Sequence, residues 1–176
     1  MIPEARLVAA DGGLVPDGEG WFVVNARDGR WVESAEFGRW IPFEGDPRFP
    51  ELGINVSVLA PGQPGGMYHG EDAQEDFLVL AGECIALVEG EERRLRQWDF
   101  LHCPAWTEHI IVGAGDGPCV LLAVGARGGE RGIHYPVSQI ALAHNAGVTT
   151  ATDEPNEAYA AFRPRSLVPY RAGDLP

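Results

Sequence analysis

The feature that most limits how this chain can fold is a regular series of short apolar segments that begins near Ile54. Glycine- and proline-rich turns separate the segments, which recur at roughly 8–12 residue intervals, a spacing typical of β-sandwiches and barrels. The predicted strands span 55–59, 67–71, 75–80, 84–88, 92–95, 100–103, 109–112 and 119–124. With 23 glycines and 14 prolines, long helices are disfavoured. The sequence therefore predicts an all-β fold.

The flanking sequence is predicted to extend the same domain, because no linker or internal repeat separates it from the strand series. We divide the single domain into an N-terminal strand extension at 1–50, a barrel core at 51–127 and a C-terminal part at 128–176. The last part is predicted to contain one or two short helices and an irregular tail.

Individual elements are predicted in both flanks. In the N-terminal extension, strands are predicted at 21–25, 30–34 and 37–43, with the first two paired as a hairpin around Asp28-Gly29. In the C-terminal part, helices are predicted at 138–146, where Ser138 supplies the N-cap, and at 155–162.

Charge and composition exclude several classes of partner. A formal net charge of −13 repels the phosphate backbone, so nucleic-acid binding is not expected. The sequence has no run of 18 apolar residues, so no membrane span is expected. The first residues do not resemble a secretion signal. Three cysteines without CxxC spacing, Cys84, Cys103 and Cys119, are interpreted as reduced packing thiols. A cytoplasmic protein is expected.

Four side chains are candidate metal ligands: His69, Glu71, Glu75 and His109. Imidazole and carboxylate groups are the donors that divalent first-row ions take in proteins. His69 and Glu71 are two residues apart on a predicted strand, so their side chains point the same way. A hairpin turn at 72–74 is predicted to return Glu75 on the neighbouring strand. His109 joins the group only if the sheet curls onto itself.

The spacing of these residues resembles the first motif of the cupin superfamily, commonly written G-x5-H-x-H-x3,4-E-x6-G. His69, Glu75 and Gly82 fall at the motif's spacing. Glu71 stands in place of the second histidine, and Gln63 in place of the first glycine.

The second cupin motif, G-x5-P-x-G-x2-H-x3-N, is met by Pro104 and His109. Its glycines fall on Trp98 and Trp106, and its asparagine falls on Gly113. The resemblance covers residues 54 to 125.

This resemblance implies a cupin double-stranded β-helix, a jelly-roll-like barrel of the conserved single-domain type. It also implies a divalent ion, Fe(II), Mn, Ni or Zn, held by His69, Glu75 and His109 with Glu71 as a possible fourth donor. The expected function is that of a metal-dependent enzyme acting on a small molecule. By analogy with the family, dioxygenase or other oxidoreductase chemistry is the first expectation. The alternative is a non-catalytic ligand-binding cupin or a homodimeric module without a functional metal. A homodimer is expected in either case.

Two residues are candidate catalytic groups, and each has a structural alternative. Glu71 is interpreted as a fourth ligand, a partner of a ligating histidine, a solvated carboxylate or a general base. His102 either lines the cavity as an acid–base group or is a structural histidine. Cys103 follows it on the same strand, so only one of the two can point inward.

Four further residues are predicted to line a substrate pocket: Tyr68, Phe77, Trp106 and Ile111. For Tyr68 and Phe77, core packing is the alternative. Trp106 is expected at the barrel mouth, where its ring narrows the entrance, stacks on a substrate or packs on the rim.

Overall fold

Side-chain alternation along the apolar segments places two β-sheets face to face. The computed structural model describes residues 1–127 and 132–176, so the start of the predicted C-terminal part at residue 128 lies outside the described residues. Strands make up 45% of the chain and helices 5%, which confirms the predicted all-β class. The division into three parts remains a prediction.

The elements have the following bounds. The strands are β1 (Arg6–Ala10), β2 (Gly13–Asp17), β3 (Trp31–Ser34), β4 (Gly38–Ile41), β5 (Leu52–Leu59), β6 (Gly70–Glu71), β7 (Glu75–Ala81), β8 (Glu83–Val88), β9 (Glu91–Arg96), β10 (Phe100–Cys103), β11 (His109–Ala114), β12 (Cys119–Ala126), β13 (Ile133–His134) and β14 (Ser166–Val168). The helices are α1 (Gln139–Ala143) and α2 (Pro155–Ala158).

The larger sheet has seven strands in the order β10-β7-β12-β5-β4-β3-β14, and a second sheet has the order β11-β8-β9. Residues of the two sheets meet in an apolar core formed by Leu59, Val79, Cys84, Ala86, Ile111, Cys119 and Leu121. Along β7, odd-numbered residues such as Val79 therefore face this interior, and even-numbered ones face outward. This alternation decides which side chains can reach the site.

A short helix covers part of the outer face of the second sheet. Helix α1 packs on the second sheet, where its Ala141 joins Tyr68, Leu87 and Ile110 in a buried cluster. Ser138 caps this helix as predicted, since its side chain accepts a hydrogen bond from the Ala141 backbone. Within the described residues, no helix is long and apolar enough to cross a membrane.

The flanks differ from several predictions. The predicted strand at 21–25 is wrong: only Trp21 forms an isolated bridge, and β3 pairs with β4 instead. Three features were not predicted: the β1–β2 hairpin, strand β13, which pairs with β6, and strand β14, which adds to the edge of β3. Both helices end earlier than predicted. Such pairings depend on distant partners rather than on local pattern.

The turn between β9 and β10 explains why the second cupin motif has a glycine where this chain has Trp98. The backbone of Trp98 has φ of 74°, a left-handed conformation that glycine adopts without steric cost. Trp106, at the motif's other glycine position, has φ of 67°. Both positions thus carry an exposed aromatic ring on a backbone conformation that favours glycine.

We expect the Trp98→Gly variant to be more stable than Trp98→Ala by about 1 kcal/mol, because a Cβ atom is disfavoured in the left-handed region. Both variants remove the same exposed ring, which is 67% accessible. The free energy of unfolding in urea measures the difference. The matching pair at Phe100, on regular strand β10, should show the reverse order; equal stability of the two Trp98 variants would contradict the interpretation.

Candidate metal site

An isolated antiparallel β-bridge brings His69, just before β6, together with His109, the first residue of β11. The backbone N–H of His109 donates to the carbonyl of His69 at 2.8 Å, and the reciprocal bond measures 3.2 Å. The two residues therefore lie directly opposite each other, with ring centroids 5.3 Å apart. Glu75, the first residue of β7, faces them from the larger sheet. The curl of the two sheets thus joins His69 and His109, which are 40 positions apart in sequence.

The route that brings Glu75 to the histidines differs from the predicted one. The predicted hairpin at 72–74 is wrong, because β6 pairs with β13, whereas β7 pairs with β10 and β12. The segment at 72–74 crosses from one sheet to the other. Glu75 therefore meets His69 across the barrel interior rather than on a neighbouring strand.

Three polar atoms converge at the centre of this cluster. Oε2 of Glu75 lies 3.1 Å from Nε2 of His109 and 3.6 Å from Nε2 of His69. Two ligands of one ion at about 2.1 Å from it would be roughly 3.0–3.4 Å apart for octahedral or tetrahedral angles. The observed separations are close to that range.

The opposite ring nitrogens fix which atom of each imidazole faces the centre. Nδ1 of His69 lies 2.8 Å from the carbonyl of Met67, and Nδ1 of His109 lies 2.9 Å from the carbonyl of Thr107. Because a carbonyl only accepts, both Nδ1 atoms carry the proton, and each neutral ring presents a lone pair on Nε2. This is the orientation that histidine ligands of metal ions have.

The Nε2 and Oε2 lone pairs of the cluster repel one another unless a positive charge lies between them. Among the described residues, Oε2 of Glu75 and Nε2 of His109 are buried atoms without a hydrogen-bond partner of acceptable geometry. In the ion-free protein, a proton on His109 supplies this positive charge, and the protonated ring forms an ion pair with Glu75. The donor set and its spacing equally fit a divalent cation.

The charges of the pair are strongly coupled. Burial opposes ionisation of Glu75, but the attraction of its carboxylate to the facing imidazoles of His109 and His69 outweighs burial and lowers the pKa of Glu75 to about 2. Burial likewise opposes protonation of His109, but Cys103 and Glu75 outweigh it and raise the pKa of His109 to about 10. The ion-free site is therefore a buried histidinium–carboxylate pair, whereas a metal ion would displace the proton from His109.

Glu71 reaches the cluster from the side of His69. Single donor atoms of His69, Glu71 and Glu75 lie within 4.8 Å of one another. His109 is not part of that group, although its Nε2 lies 3.1 Å from Oε2 of Glu75. The backbone carbonyl of Glu71 accepts a hydrogen bond of 2.7 Å from Trp106, which fixes the loop carrying the carboxylate.

Aromatic rings surround the cluster, and only one of them was predicted. The ring of Phe77 packs edge-on against His109 at 5.3 Å, which places it beside the site as predicted. Tyr135 lies 5.6 Å from the His69 ring and is only 3% exposed. It was missed because it follows the motif region in sequence; its single signal is an aromatic residue in the strand-like segment 133–135. Burial raises the pKa of Tyr135, so its phenol stays protonated.

The other predicted residues lie elsewhere. His102 is half exposed on the outer face, where its Nδ1 lies 2.6 Å from Asp76; the structure does not bring it to the cluster. Cys103 takes the inward position instead. Tyr68 packs in the cluster under α1, and Ile111 packs in the core between the sheets. Trp106, 52% exposed, lies on the rim beside Glu71.

Comparison with known proteins agrees with this architecture. Residues 55–125 match the family model described as Cupin domain, and no curated protein matches the chain. A sugar phosphate isomerase from a cupin superfamily, from Silicibacter pomeroyi, is 19% identical with a TM-score of 0.51, and the alignment covers 86% of each chain. At this identity the similarity establishes the fold alone.

Two other solved structures share part of the fold. A Cupin 2 conserved barrel domain protein from Salinispora arenicola is 21% identical with a TM-score of 0.47, covering 53% of this chain and 79% of that one. The polyketide cyclase RemF from Streptomyces resistomycificus is 16% identical with a TM-score of 0.47, covering 56% of this chain and 68% of that one.

Proposed function

We propose that this chain, whose residues 55–125 match the Cupin domain family model, is a metal-dependent enzyme of the cupin type that acts on a small molecule. The observation that carries the proposal is the convergence of two imidazole lone pairs and one buried carboxylate oxygen, within 3.1 and 3.6 Å. His69, Glu75 and His109 are the proposed ligands, and Glu71 is placed to supply a fourth donor. Fe(II), Mn, Ni and Zn all accept such donors.

The ligand set leaves positions for a substrate. Two histidines and one carboxylate on one side of an ion are typical of sites with open coordination positions. A bound ion would act as a Lewis acid toward a substrate oxygen and, if it were Fe or Mn, would also support oxidation chemistry. Dioxygenase or other oxidoreductase activity is therefore the reaction class we propose first.

The chain's own residues prepare this site in three ways. The hydrogen bonds to Met67 and Thr107 hold both imidazole rings in the ligating orientation. Phe77 and Tyr135 shield one side from water, which strengthens the electrostatic interactions inside. Tyr135 keeps its proton at neutral pH and so can donate a hydrogen bond to a substrate oxygen that carries negative charge.

The metal content of the protein tests this proposal directly. The protein is purified without chelators and without a nickel column, and its metals are measured by elemental analysis. We expect one Fe or Mn per chain, and oxygen consumption by the Fe(II)-loaded protein with small hydroxy or oxo compounds. A metal-free protein whose melting temperature does not respond to added divalent ions would instead support the non-catalytic, ligand-binding alternative.

The homodimer also remains a proposal. Strand β10 is at the edge of the seven-stranded sheet, and Trp98 and Phe100 beside it are exposed. An exposed strand edge with apolar side chains is a surface on which a second copy can pair. Light scattering of the protein in solution measures its mass and so tests this proposal.

A further inference from the structure

A cavity of about 330 Å³ is lined by several positively charged side chains, although the protein as a whole is strongly acidic. Four arginines line it: Arg30, Arg48, Arg127 and Arg165. The chain has 13 basic residues, all arginine, against a formal net charge of −13. Glu44 is the single carboxylate among the described lining residues. The cavity therefore carries an excess of positive charge that the metal site does not use.

The arginines of this cavity are only partly neutralised. Nη1 of Arg127 lies 2.7 Å from Oε1 of Glu44 and donates to the carbonyl of Phe49 at 2.9 Å. Arg165 lies over the rings of Trp40 and Tyr159, at 5.2 and 5.8 Å from their centroids.

The remaining arginines lack anionic partners. Nε of Arg30 is buried without a hydrogen-bond partner. Within residues 1–127 and 132–176, Arg30, Arg48 and Arg165 form no ion pair with a carboxylate that the structure records. Only Arg127 is charge-compensated, so a small anion would complete the cavity.

Arg127 presents its bidentate edge over a glycine. A Cβ atom added at Gly53 would meet both Nε and Nη2 of Arg127 at 3.0 Å. The absence of a side chain at Gly53 thus provides the space that the guanidinium occupies. Glu44 and Phe49 hold the Nη1 atom and Gly53 lies under the Nε–Nη2 edge, so Arg127 contributes its charge to the cavity, while Arg30, Arg48 and Arg165 are left to contact an anion.

Gly53, beneath this edge, lies two strands away from Glu75 of the metal-ligand cluster, with β12 between them. Gly53 of β5 is paired with Gly125 of β12, and Gly125 is paired with Glu75 of β7. A Cβ atom added at Gly125 would meet Oε1 of Glu75 at 3.3 Å. Same-face positions on neighbouring strands are roughly 5 Å apart. Two adjacent glycines therefore form a floor with the guanidinium of Arg127 over one and the carboxylate of Glu75 over the other.

We infer that this cavity binds the carboxylate or phosphoryl group of a small molecule whose oxygen-bearing end reaches the His69, Glu75 and His109 cluster. The substrate class is then a small anion with an oxygen donor a few bonds from its charged group. Only the position of the oxygen-bearing end rests on the proposed function. The anion subsite depends on the arginines alone.

Calorimetric titration of chelator-treated protein with inorganic phosphate and, separately, with malonate tests the subsite without interference from metal coordination. The test variant is Arg48→Gln/Arg165→Gln, because both residues are exposed and neither forms an ion pair in the described structure. The control is Arg93→Gln/Arg94→Gln on strand β9, which changes the net charge equally. We expect at least tenfold weaker binding in the test variant and unchanged affinity in the control.

The choice of ligand and the metal content separate the outcomes. Binding of phosphate alone, of malonate alone or of both supports the subsite and identifies the preferred headgroup. Absence of binding to wild-type protein, or equal weakening in both double variants, overturns it. Elemental analysis of the metal-loaded variants keeps the two proposals distinct: the test variant should retain its ion, whereas His109→Ala should lose the ion and keep the anion affinity.

Discussion

His109→Ala is expected to abolish stoichiometric binding of a divalent ion, with an affinity at least 100-fold below that of the wild-type protein. The reason is the geometry of the site: removing one of three converging donors leaves two, and substitutions even of groups that only orient ligands cost 10–100-fold. His69→Ala should have the same effect. Equilibrium dialysis against buffered Mn(II), followed by elemental analysis, measures both.

His102→Ala is the matched control for these variants. His102 is also a histidine on a strand of the barrel, but it pairs with Asp76 on the outer face. We expect its metal content to equal that of the wild type. The assignment of ligands would be wrong if His109→Ala retained one ion per chain, or if His102→Ala lost it.

The second large effect is a pH dependence of stability that reverses when the ion is bound. In the ion-free protein the pKa of His109 is raised to about 10 from an ordinary value of 6.5. This contribution to stability is fully present below pH 6.5 and is lost as pH rises toward 10. Between pH 5.5 and 8.5 the ion-free protein should therefore lose about 2–3 kcal/mol of unfolding free energy.

Glu75 sets the acid limit of the same stable range. Its pKa is lowered to about 2 from 4.5, so its contribution is present above pH 4.5 and is lost as pH falls toward 2. The two shifts arise from one interaction and are counted once. The ion-free protein should accordingly be most stable between pH 4.5 and 6.5.

Metal binding should reverse the alkaline part of this profile, because ligation requires a neutral His109 and competes with its proton. Urea denaturation at pH 5.5 and 8.5, with and without Mn(II), measures the effect. In saturating Mn(II) the stability should rise between these pH values. His109→Gln, which cannot be protonated, serves as the control and should flatten the ion-free slope; an equal slope in both proteins would contradict the coupling.

The spacing of the core strands and the alternation of side chains between their two faces could be predicted, because both are local properties of the sequence. Each of the eight predicted core segments overlaps an observed strand, and strand β10 has the predicted bounds. Parity also required that only one of His102 and Cys103 point inward, but it did not decide which. The pairing of β10 with β7 placed Cys103 opposite Glu75 and turned His102 outward.

Residues positioned by the pairing of strands far apart in the chain could not be predicted from the sequence. Tyr135 reaches His69 because β13 pairs with β6, and Arg127 reaches the cavity through Gly53, 74 positions earlier in the chain. No local periodicity reports such contacts, since non-local pairing is fixed by packing and sheet closure. The predicted turn at 72–74 failed for the same reason.

The sequence by itself determined the chemistry available to this protein: an all-β barrel with two histidines and two glutamates at the spacing of metal ligands. Only the tertiary structure decided which atoms of those residues meet. Sheet closure brought His109 opposite His69, backbone carbonyls turned both Nε2 atoms toward Glu75, and two paired glycines left space beside them for an arginine. The sequence specifies the type of each side chain, but the convergence of the ligand atoms results from the packing of strands that are far apart in the chain.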